Sequence, residues 1–270
     1  MWCYYTLKIN RIIMEQASTI PFKKILEEAG EQILFMKRFF RNIFRLDFEW
    51  NEFVRQCYMI GYKSFPLVAI TGFIVGFVMT LQSEPTMKAF GAESFIPKMV
   101  AISLIREICP VIIALICAGK ISSGIGAELG SMKVSEQIDA MDVSAANPVQ
   151  YLVVTRILAC ICMVPLLTII ADALGLAGSY AGVNVTSSVS TVLFFHKAFS
   201  SVAFGDLIPA TIKTVFFGFA IGFIGCYKGY NSDRGTESVG IAANSAVVNA
   251  SLWIIVIDGI AVQITTALGY

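Results

Sequence analysis

The stretch SFPLVAITGFIVGFVMTLQS, residues 64–83, carries no charged side chain over 20 consecutive positions. A helix of this length can cross the roughly 30 Å hydrocarbon core of a bilayer. The rest of the chain is similar, because 56% of its 270 residues are hydrophobic and only 14% are charged, against about 25% charged residues in soluble domains. The stretch therefore predicts a transmembrane helix within an integral membrane protein.

Apolar stretches of this kind recur along the chain, so the sequence predicts an all-α integral membrane protein with five transmembrane helices. The predicted spans are residues 64–83, 95–122, 150–173, 207–228 and 238–266. Residues 22–45 place hydrophobic side chains near helical spacing with basic residues between them, which predicts an amphipathic helix lying in the headgroup plane. We accordingly divide the chain into an N-terminal tail with its interfacial helix, residues 1–48, and a membrane domain, residues 49–270.

Basic residues are unevenly distributed, because half of the 20 Lys and Arg side chains lie in the first 63 residues. Counted over the segments outside the hydrocarbon, fifteen fall on the N-terminal side of the membrane and four on the other. Segments rich in Lys and Arg stay in the cytoplasm, so we expect a cytoplasmic N-terminus and a C-terminus outside. A net charge of +1 without a continuous basic face argues against nucleic-acid binding.

A polar segment, GAELGSMKVSEQIDAMDV at residues 126–143, separates the second and third predicted spans. As a helix it would place Val134, Ile138 and Met141 on one stripe, with acidic side chains on the other side. Ser135 is a suitable N-cap for such a helix, and an Asn-Pro pair would end it. A helix this short is marginal alone. We therefore expect it to dock on the cytoplasmic side into a groove of another protein, with an ordinary capped loop as the alternative.

Charged side chains also occur inside the predicted spans, where they normally face a protein interior or a water-filled cavity. Arg106 and Glu107 in the second span either line a substrate path or form salt bridges with other helices. Asp172 and Asp258 are isolated acids inside apolar runs. For these two we favour hydrogen bonds between helices over a proton pathway.

Pairs of glycines four residues apart occur in and beside the spans and predict close approach of helix backbones. These pairs are Gly72/Gly76, Gly126/Gly130, Gly178/Gly182, Gly218/Gly222 and Gly225/Gly229. They argue for tight packing within the bundle and only weakly for association of two copies.

Motifs for catalysis and nucleotide binding are absent from the sequence. AGKISSG lacks the first glycine of a phosphate-binding loop and the Ser or Thr that must follow its lysine. The seven cysteines are odd in number, and no histidine accompanies the C-x-C at Cys160 and Cys162, which argues against disulfides or a metal site. We therefore expect a non-enzymatic chain that binds no metal or cofactor and no ATP by itself.

The polar segment carries the most specific resemblance to a known family. Its run G-A-E-L-G-x-M-K-V-x-E-Q-I-D-A-M, followed by N-P, is similar to that of the MlaE-type permeases of ABC transporters, which move lipids together with MCE-domain proteins. The resemblance covers about residues 50–270, so residues 49–270 would form an MlaE-like permease domain. It implies a multi-pass homodimer in the inner membrane of a diderm bacterium. The implied substrate is phospholipid, moved between inner and outer membranes and thereby supporting outer-membrane lipid asymmetry.

Partners and residue roles also follow from this resemblance. The implied partners are cytoplasmic ABC ATPase subunits that bind ATP, a periplasmic MCE-domain protein and a small STAS-type accessory subunit. Five residues of the polar segment match the helix that couples to the ATPase in the family: Glu136, Gln137, Ile138, Asp139 and Met141. Arg106 and Glu107 match the Arg-Glu pair near the lipid cavity between protomers, and we expect Phe77 and Met79 in the apolar wall of that cavity.

Two other classes of protein remain as alternatives. An ion-coupled secondary transporter of a lipid-like or hydrophobic substrate could use Arg106, Glu107, Asp172 or Asp258 as its ion site. Such transporters are built from matching repeats with broken helices, and five spans do not divide into equal halves. A membrane acyltransferase or protease would need a nucleophile beside a base near one interface, and the sequence offers none.

Overall fold

The computed structural model describes residues 26–43, 48–144, 146–186 and 190–267. Residues 26–43 form a helix, α1, within the region predicted to be interfacial; the ends of that prediction, 22–25 and 44–45, lie outside the described residues. Hydrophobic side chains such as Leu26, Ile33 and Phe40 are exposed along α1. The chain divides into two compact units, Met1–Phe48 and Glu49–Tyr270.

Five helices of the second unit are long and apolar enough to cross a membrane, which confirms the predicted number of spans. They are α2 (Trp50–Ala89), α3 (Glu93–Val134), α5 (a π-helical start at Val149–Val154 followed by Thr155–Thr186), α7 (Phe204–Tyr230) and α8 (Thr236–Ala267). Two short helices lie between spans, α4 (Gln137–Val143) and α6 (Thr191–Phe199). The described residues are thus all-helical in architecture, with α4 between the second and third spans as predicted.

The loop predicted after the first span is mostly helix. Residues up to Ala89 continue α2, because Glu84 is buried on this helix and its carboxylate lies 2.7 Å from the Lys88 ammonium one turn later. The chain reverses over a short turn containing Gly91, whose φ of 64° lies in the left-handed region that favours glycine. Charged residues at this point indicate the membrane surface, where a helix can continue without a break.

Helix α3 is interrupted by two π-helical segments, Leu104–Ile108 and Ala118–Ser122. Pro110 follows the first segment and has no N–H to donate to the carbonyl of Arg106 one turn earlier. A wider turn accommodates that missing bond and changes the direction in which the neighbouring side chains point. Arg106 and Glu107 lie inside the first π segment, and Lys120 lies inside the second.

The bundle is held by close contacts between helix backbones. The buried residues of α2 form one row at four-residue spacing, and this row packs against α5. In the row, Gly76 meets the backbone of Gly175, and the Thr80 hydroxyl lies 2.6 Å from that of Ser179. The predicted glycine pairs all lie at such crossings: Gly72/Gly76 and Gly178/Gly182 between α2 and α5, Gly218/Gly222 between α7 and α5, Gly225/Gly229 between α7 and α3, and Gly126/Gly130 between α3 and α8.

Helix α7 is the most buried span, packing against α3, α5 and α8, whereas α8 buries the smallest share of its apolar surface. Large apolar side chains such as Leu252, Trp253 and Ile260 are exposed along α8. On the side of the membrane opposite α4, α6 buries Phe194 against Tyr180 of α5 and leaves His196 exposed.

Candidate functional site

Five charged side chains meet within the membrane-spanning bundle, and we call Arg106, Glu107, Asp206, Lys213 and Asp258 the intramembrane cluster. The Lys213 ammonium donates to Glu107 at 2.7 Å and to Asp258 at 3.0 Å. Arg106 lies 3.7 Å from Asp206. All members except Asp258 line a small cavity between α3, α7 and the end of α8.

Helix geometry brings these side chains together from three separate elements. Asp206 and Lys213 are seven residues apart on α7, which places them on the same face two turns apart. The first π segment of α3 directs both Arg106 and Glu107 towards that face. Asp258 completes the cluster from α8. Of the two alternatives for Arg106 and Glu107, ion pairs with another helix are observed, and that helix is α7 for both; the two side chains also line the cavity.

Burial makes Lys213 the centre of the cluster, because its side chain is 6% exposed while those of Glu107 and Asp258 are 39% and 21% exposed. A buried ammonium is costly unless carboxylates surround it. The arrangement therefore links α3, α7 and α8 through one cation. With two cations and three carboxylates, the five groups have a formal net charge of −1.

Sequence reasoning did not single out Lys213, which was only one of the four basic residues counted on the side of the membrane opposite the N-terminus. It also treated Asp258 as an acid without a matching lysine, whereas Lys213 contacts it. The available signal was the position of Lys213 well inside the apolar fourth span, where a cation needs an acidic partner. Asp206 gave a weaker signal, because its place at the start of α7 resembles an ordinary helix N-terminus.

The other isolated acid, Asp172, lies on α5 away from the intramembrane cluster. It is buried beside Cys109 of α3. Its Oδ1 atom has no hydrogen-bond partner within the described part of the chain. Asp172 thus lies where α5 packs against α3.

The short helix between the second and third spans begins later than the sequence predicts. Val134 is the last residue of α3, and α4 covers only Gln137–Val143. Ser135 was wrongly predicted as the N-cap, because its hydroxyl donates back to the carbonyl of Ser131 on α3. Glu136 is the N-cap instead, with a φ of 57°, a left-handed conformation that costs a non-glycine residue about 1–2 kcal/mol.

Helix α4 is held to the bundle by one buried side chain and a group of surface ion pairs. Ile138 is 1% exposed, and Met141 is half-buried. Asp139 accepts from Lys133 at 2.8 Å and from Arg234, in the loop between α7 and α8, at 3.1 Å. Arg234 also lies 3.6 Å from Glu136. We call Lys133, Glu136, Asp139 and Arg234 the surface cluster; its formal charges balance.

The acids of this segment divide into two kinds. Hydrogen bonding from Lys133, assisted by the charge of Arg234, holds the pKa of Asp139 below its usual range. The Asp139 carboxylate is therefore engaged in contacts within the chain, with Lys133 and Arg234. Glu136 and Asp142 are exposed, as is Gln137, so these are the polar groups that α4 offers to solvent or to a partner.

Phe77 and Met79 lie on α2, away from the intramembrane cluster. The Phe77 ring is half-buried and stacks with that of Phe73 at a centroid distance of 6.5 Å. Met79 packs against a buried group that includes Leu104 of α3. Neither residue lines the small cavity beside Arg106, so within one chain the structure does not join these predicted residues into one site.

Comparison with known proteins points to one family. A sequence model described as Permease MlaE matches residues 53–264. A probable ABC transporter permease protein of Rickettsia typhi is 39% identical over 203 residues, covering 75% of this chain and 78% of that protein. A protein of the same description from Rickettsia felis is 36% identical over 233 residues, covering 86% and 90%.

A further relative has a more specific name. The intermembrane phospholipid transport system permease protein MlaE of Haemophilus influenzae is 32% identical over 218 residues, covering 80% of this chain and 83% of that protein. The family match, over residues 53–264, includes both the intramembrane cluster and α4.

Proposed function

Because the chain belongs to the MlaE permease family, we propose that it moves phospholipids between the inner and outer membranes of a bacterium. It is a multi-pass membrane protein of the ABC transporter permease type, and such a permease works with a separate ATPase. The name of the Haemophilus influenzae relative supports phospholipid as the substrate. Transport of this kind would sustain the lipid asymmetry of the outer membrane.

Helix α4 is the observation that carries this proposal. It stands between two spans, is anchored by the buried Ile138, and presents Glu136, Gln137 and Asp142 outward. A rigid helix with one buried anchor can pass a displacement to the bundle, because packed helices shift as units. Through Arg234, the same displacement would reach the loop between α7 and α8. We propose that Glu136, Gln137, Ile138, Asp139 and Met141 form the helix that contacts the ATPase.

The assembly is proposed on the same basis. Two copies would pair as a homodimer, with the ATPase subunits on the cytoplasmic side and an MCE-domain protein in the periplasm. A small STAS-type subunit would bind on the cytoplasmic side. The excess of Lys and Arg in the segments on the α4 side supports an inner-membrane orientation with the N-terminus in the cytoplasm and the C-terminus in the periplasm.

The lipid path is proposed to lie between the two copies. The apolar side chains exposed along α2 and α8 would face lipid or the second copy, and Phe77 and Met79 would contribute to the apolar wall. The intramembrane cluster lies beside this path, with Arg106 and Glu107 in the half of the membrane away from α4. ATP binding would bring the ATPase subunits together, move α4, and change the width of the path.

The proposal is tested by purifying the full chain from its native cells in mild detergent, with an affinity tag. We expect an ATPase to co-purify and to support ATP-dependent transfer of a fluorescent phospholipid between vesicles. Reversing the exposed Glu136 with Glu136→Lys should lower ATPase recovery on the order of tenfold, because a like charge would meet the ATPase surface. Asp139→Lys should have a similar effect and should also break the contacts with Lys133 and Arg234.

Glu237→Lys is the matched control, because Glu237 is an exposed acid on the same side of the membrane, in the first turn of α8, outside both α4 and the surface cluster. It should retain more of the ATPase than Glu136→Lys. The proposal fails if no ATPase accompanies the chain. Transfer that continues without ATP but requires an ion gradient would instead support the alternative of an ion-coupled secondary transporter.

A further inference from the structure

A second cavity, of about 210 Å³, lies between α2 and α3 on the α4 side of the bundle. We call it the lysine cavity; its polar lining is Gln56, Lys63, Ser64, Lys120 and Glu128. We propose that it binds the phosphodiester headgroup of an anionic phospholipid in the leaflet on that side. This inference concerns lipid binding alone and does not depend on an ATPase or on transport.

Depth in the membrane is the first argument. Lys63 immediately precedes the charge-free residues 64–83, and Lys120 immediately follows the charge-free residues 108–119. The Lys120 ammonium donates to the backbone carbonyl of Lys63. The ends of the charge-free segments of α2 and α3 therefore lie at the same depth in the membrane. This is the level at which lipid phosphates lie, and basic pockets between transmembrane helices on one membrane face are suited to anionic headgroups.

Charge balance is the second argument. Glu128 is the acid in the cavity lining, and it lies 2.9 Å from the guanidinium of Arg156, whose side chain is 2% exposed. Glu52 lies one turn before Gln56, bonds to it at 2.7 Å and pairs with Arg55. Both nearby carboxylates are thus balanced by arginines. The charged lining residues, Lys63, Lys120 and Glu128, sum to +1, and the pairing of Glu128 with Arg156 leaves the charges of both lysines unbalanced.

Availability of the lysines is the third argument. Basic side chains at a membrane boundary commonly extend into water, but the exposed Lys120 side chain instead reaches across to the carbonyl of Lys63 on α2. Lys63 is exposed, and its ammonium has no hydrogen bond or ion pair with any residue that the structure describes. A phosphodiester oxygen between the two ammonium groups would provide that partner.

The chemistry of the surroundings distinguishes among lipids. Exposed apolar side chains beside the cavity, including Met59, Phe65 and Leu67, can contact acyl chains. A zwitterionic headgroup brings its own ammonium or choline, which two lysines would repel. A headgroup with a net negative charge lacks this penalty. Phosphatidylglycerol is therefore favoured over phosphatidylcholine at this site.

Native mass spectrometry of the full chain in detergent tests the inference. The chain is titrated with phosphatidylglycerol and with phosphatidylcholine carrying the same acyl chains. We expect tighter binding of phosphatidylglycerol, and a loss of about fivefold in its affinity for each lysine removed, in Lys63→Gln and Lys120→Gln. Phosphatidylcholine binding should not change. Lys63→Arg keeps the charge and should keep most of the affinity.

Lys197→Gln is the matched control, because its ammonium also donates to a backbone carbonyl, that of Ser94 at 3.3 Å, on the opposite side of the membrane. If Lys120→Gln does not fold, Lys63→Gln still decides the matter, because the Lys63 side chain is exposed and makes no hydrogen bond or ion pair within the described residues. The inference is overturned if Lys63→Gln binds phosphatidylglycerol like the unmodified chain, or if Lys197→Gln loses as much affinity. Displacement of the lipid by an equal concentration of inorganic phosphate would also overturn it, by identifying a site for a free anion.

Discussion

The intramembrane cluster and the surface cluster are built from the same kinds of side chain but in different surroundings. In the first, Lys213 is almost fully buried between Glu107 and Asp258. In the second, Arg234 is 69% exposed and faces Glu136, which is 67% exposed. Charge pairs are strong where water is excluded and weak where water and salt compete. The first cluster therefore holds the bundle together, whereas the second can open and close at little cost.

The two clusters lie towards opposite ends of α3 and join different sets of elements. About 27 residues of α3 separate Glu107 from Val134, roughly 40 Å along a helix. The intramembrane cluster joins α3, α7 and α8 in the half of the membrane away from α4. The surface cluster joins α3, α4 and the loop between α7 and α8 at the other end. The same helices are thus fixed at one end and adjustable at the other, as a transmission element requires.

The largest effect is expected from Lys213→Met, which removes the shared cation and leaves two carboxylates facing each other. We expect the free energy of unfolding to fall by about 3–5 kcal/mol, because uncompensated charges remain inside the bundle. The change is measured as a lower temperature at which monodisperse protein is lost when the sample is heated in detergent.

The control for this variant neutralises the partners as well. The triple variant Lys213→Met, Glu107→Gln, Asp258→Asn carries no unbalanced charge at this point and should recover much of the lost stability. A Lys213→Met protein as stable as the unmodified chain would show that the buried lysine is not the structural centre of the cluster.

An intermediate effect is expected from Arg234→Gln, which opens the surface cluster without leaving a buried charge. The melting temperature should not change measurably, because exposed ion pairs contribute little to stability. In the complex, however, ATP hydrolysis should continue while phospholipid transfer falls, because α4 loses its contact with the α7–α8 loop. Hydrolysis and transfer falling in parallel would contradict this role, and Lys228→Gln, on the last turn of α7, provides a control for the loss of a nearby positive charge.

The smallest effect concerns the protonation of Asp139. Lys133→Gln should raise the Asp139 pKa towards its ordinary value, about 3.9, because the hydrogen bond from Lys133 is the main cause of the lowered pKa. Since the folded pKa lies below the unfolded one, the contact contributes stability above the unfolded value and loses it as the pH falls through the folded pKa. We therefore expect the stability that this contact contributes to stay constant between pH 5 and pH 8.

Carbon-13 NMR of labelled aspartate carboxyl groups measures this titration. Lys133→Arg retains a donor and a positive charge, so it should keep the pKa low. If the Asp139 signal titrates identically in Lys133→Gln and in the unmodified chain, Lys133 does not lower the pKa of Asp139 and does not belong to the surface cluster.

Hydropathy by itself determined the class of fold. Five apolar segments, their glycine pairs and the polar segment before the third span predicted the number of helices and the faces on which they meet. This works because a bilayer satisfies no backbone hydrogen bonds, so an apolar segment of sufficient length has almost no alternative to a helix. The bounds were less well predicted: the helix continues past Glu84 because a local ion pair with Lys88 stabilises it, although charge suggested a loop.

Only the tertiary structure decided which charges meet. Lys213, Glu107 and Asp258 are far apart in sequence, and only the packing of α3, α7 and α8 brings them within hydrogen-bonding distance. Sequence periodicity also did not predict the two π segments of α3 or the left-handed conformation of Glu136. Sequence periodicity describes one helix at a time, so it determined which faces are apolar; the pairing of polar groups between helices depends on how those faces cross.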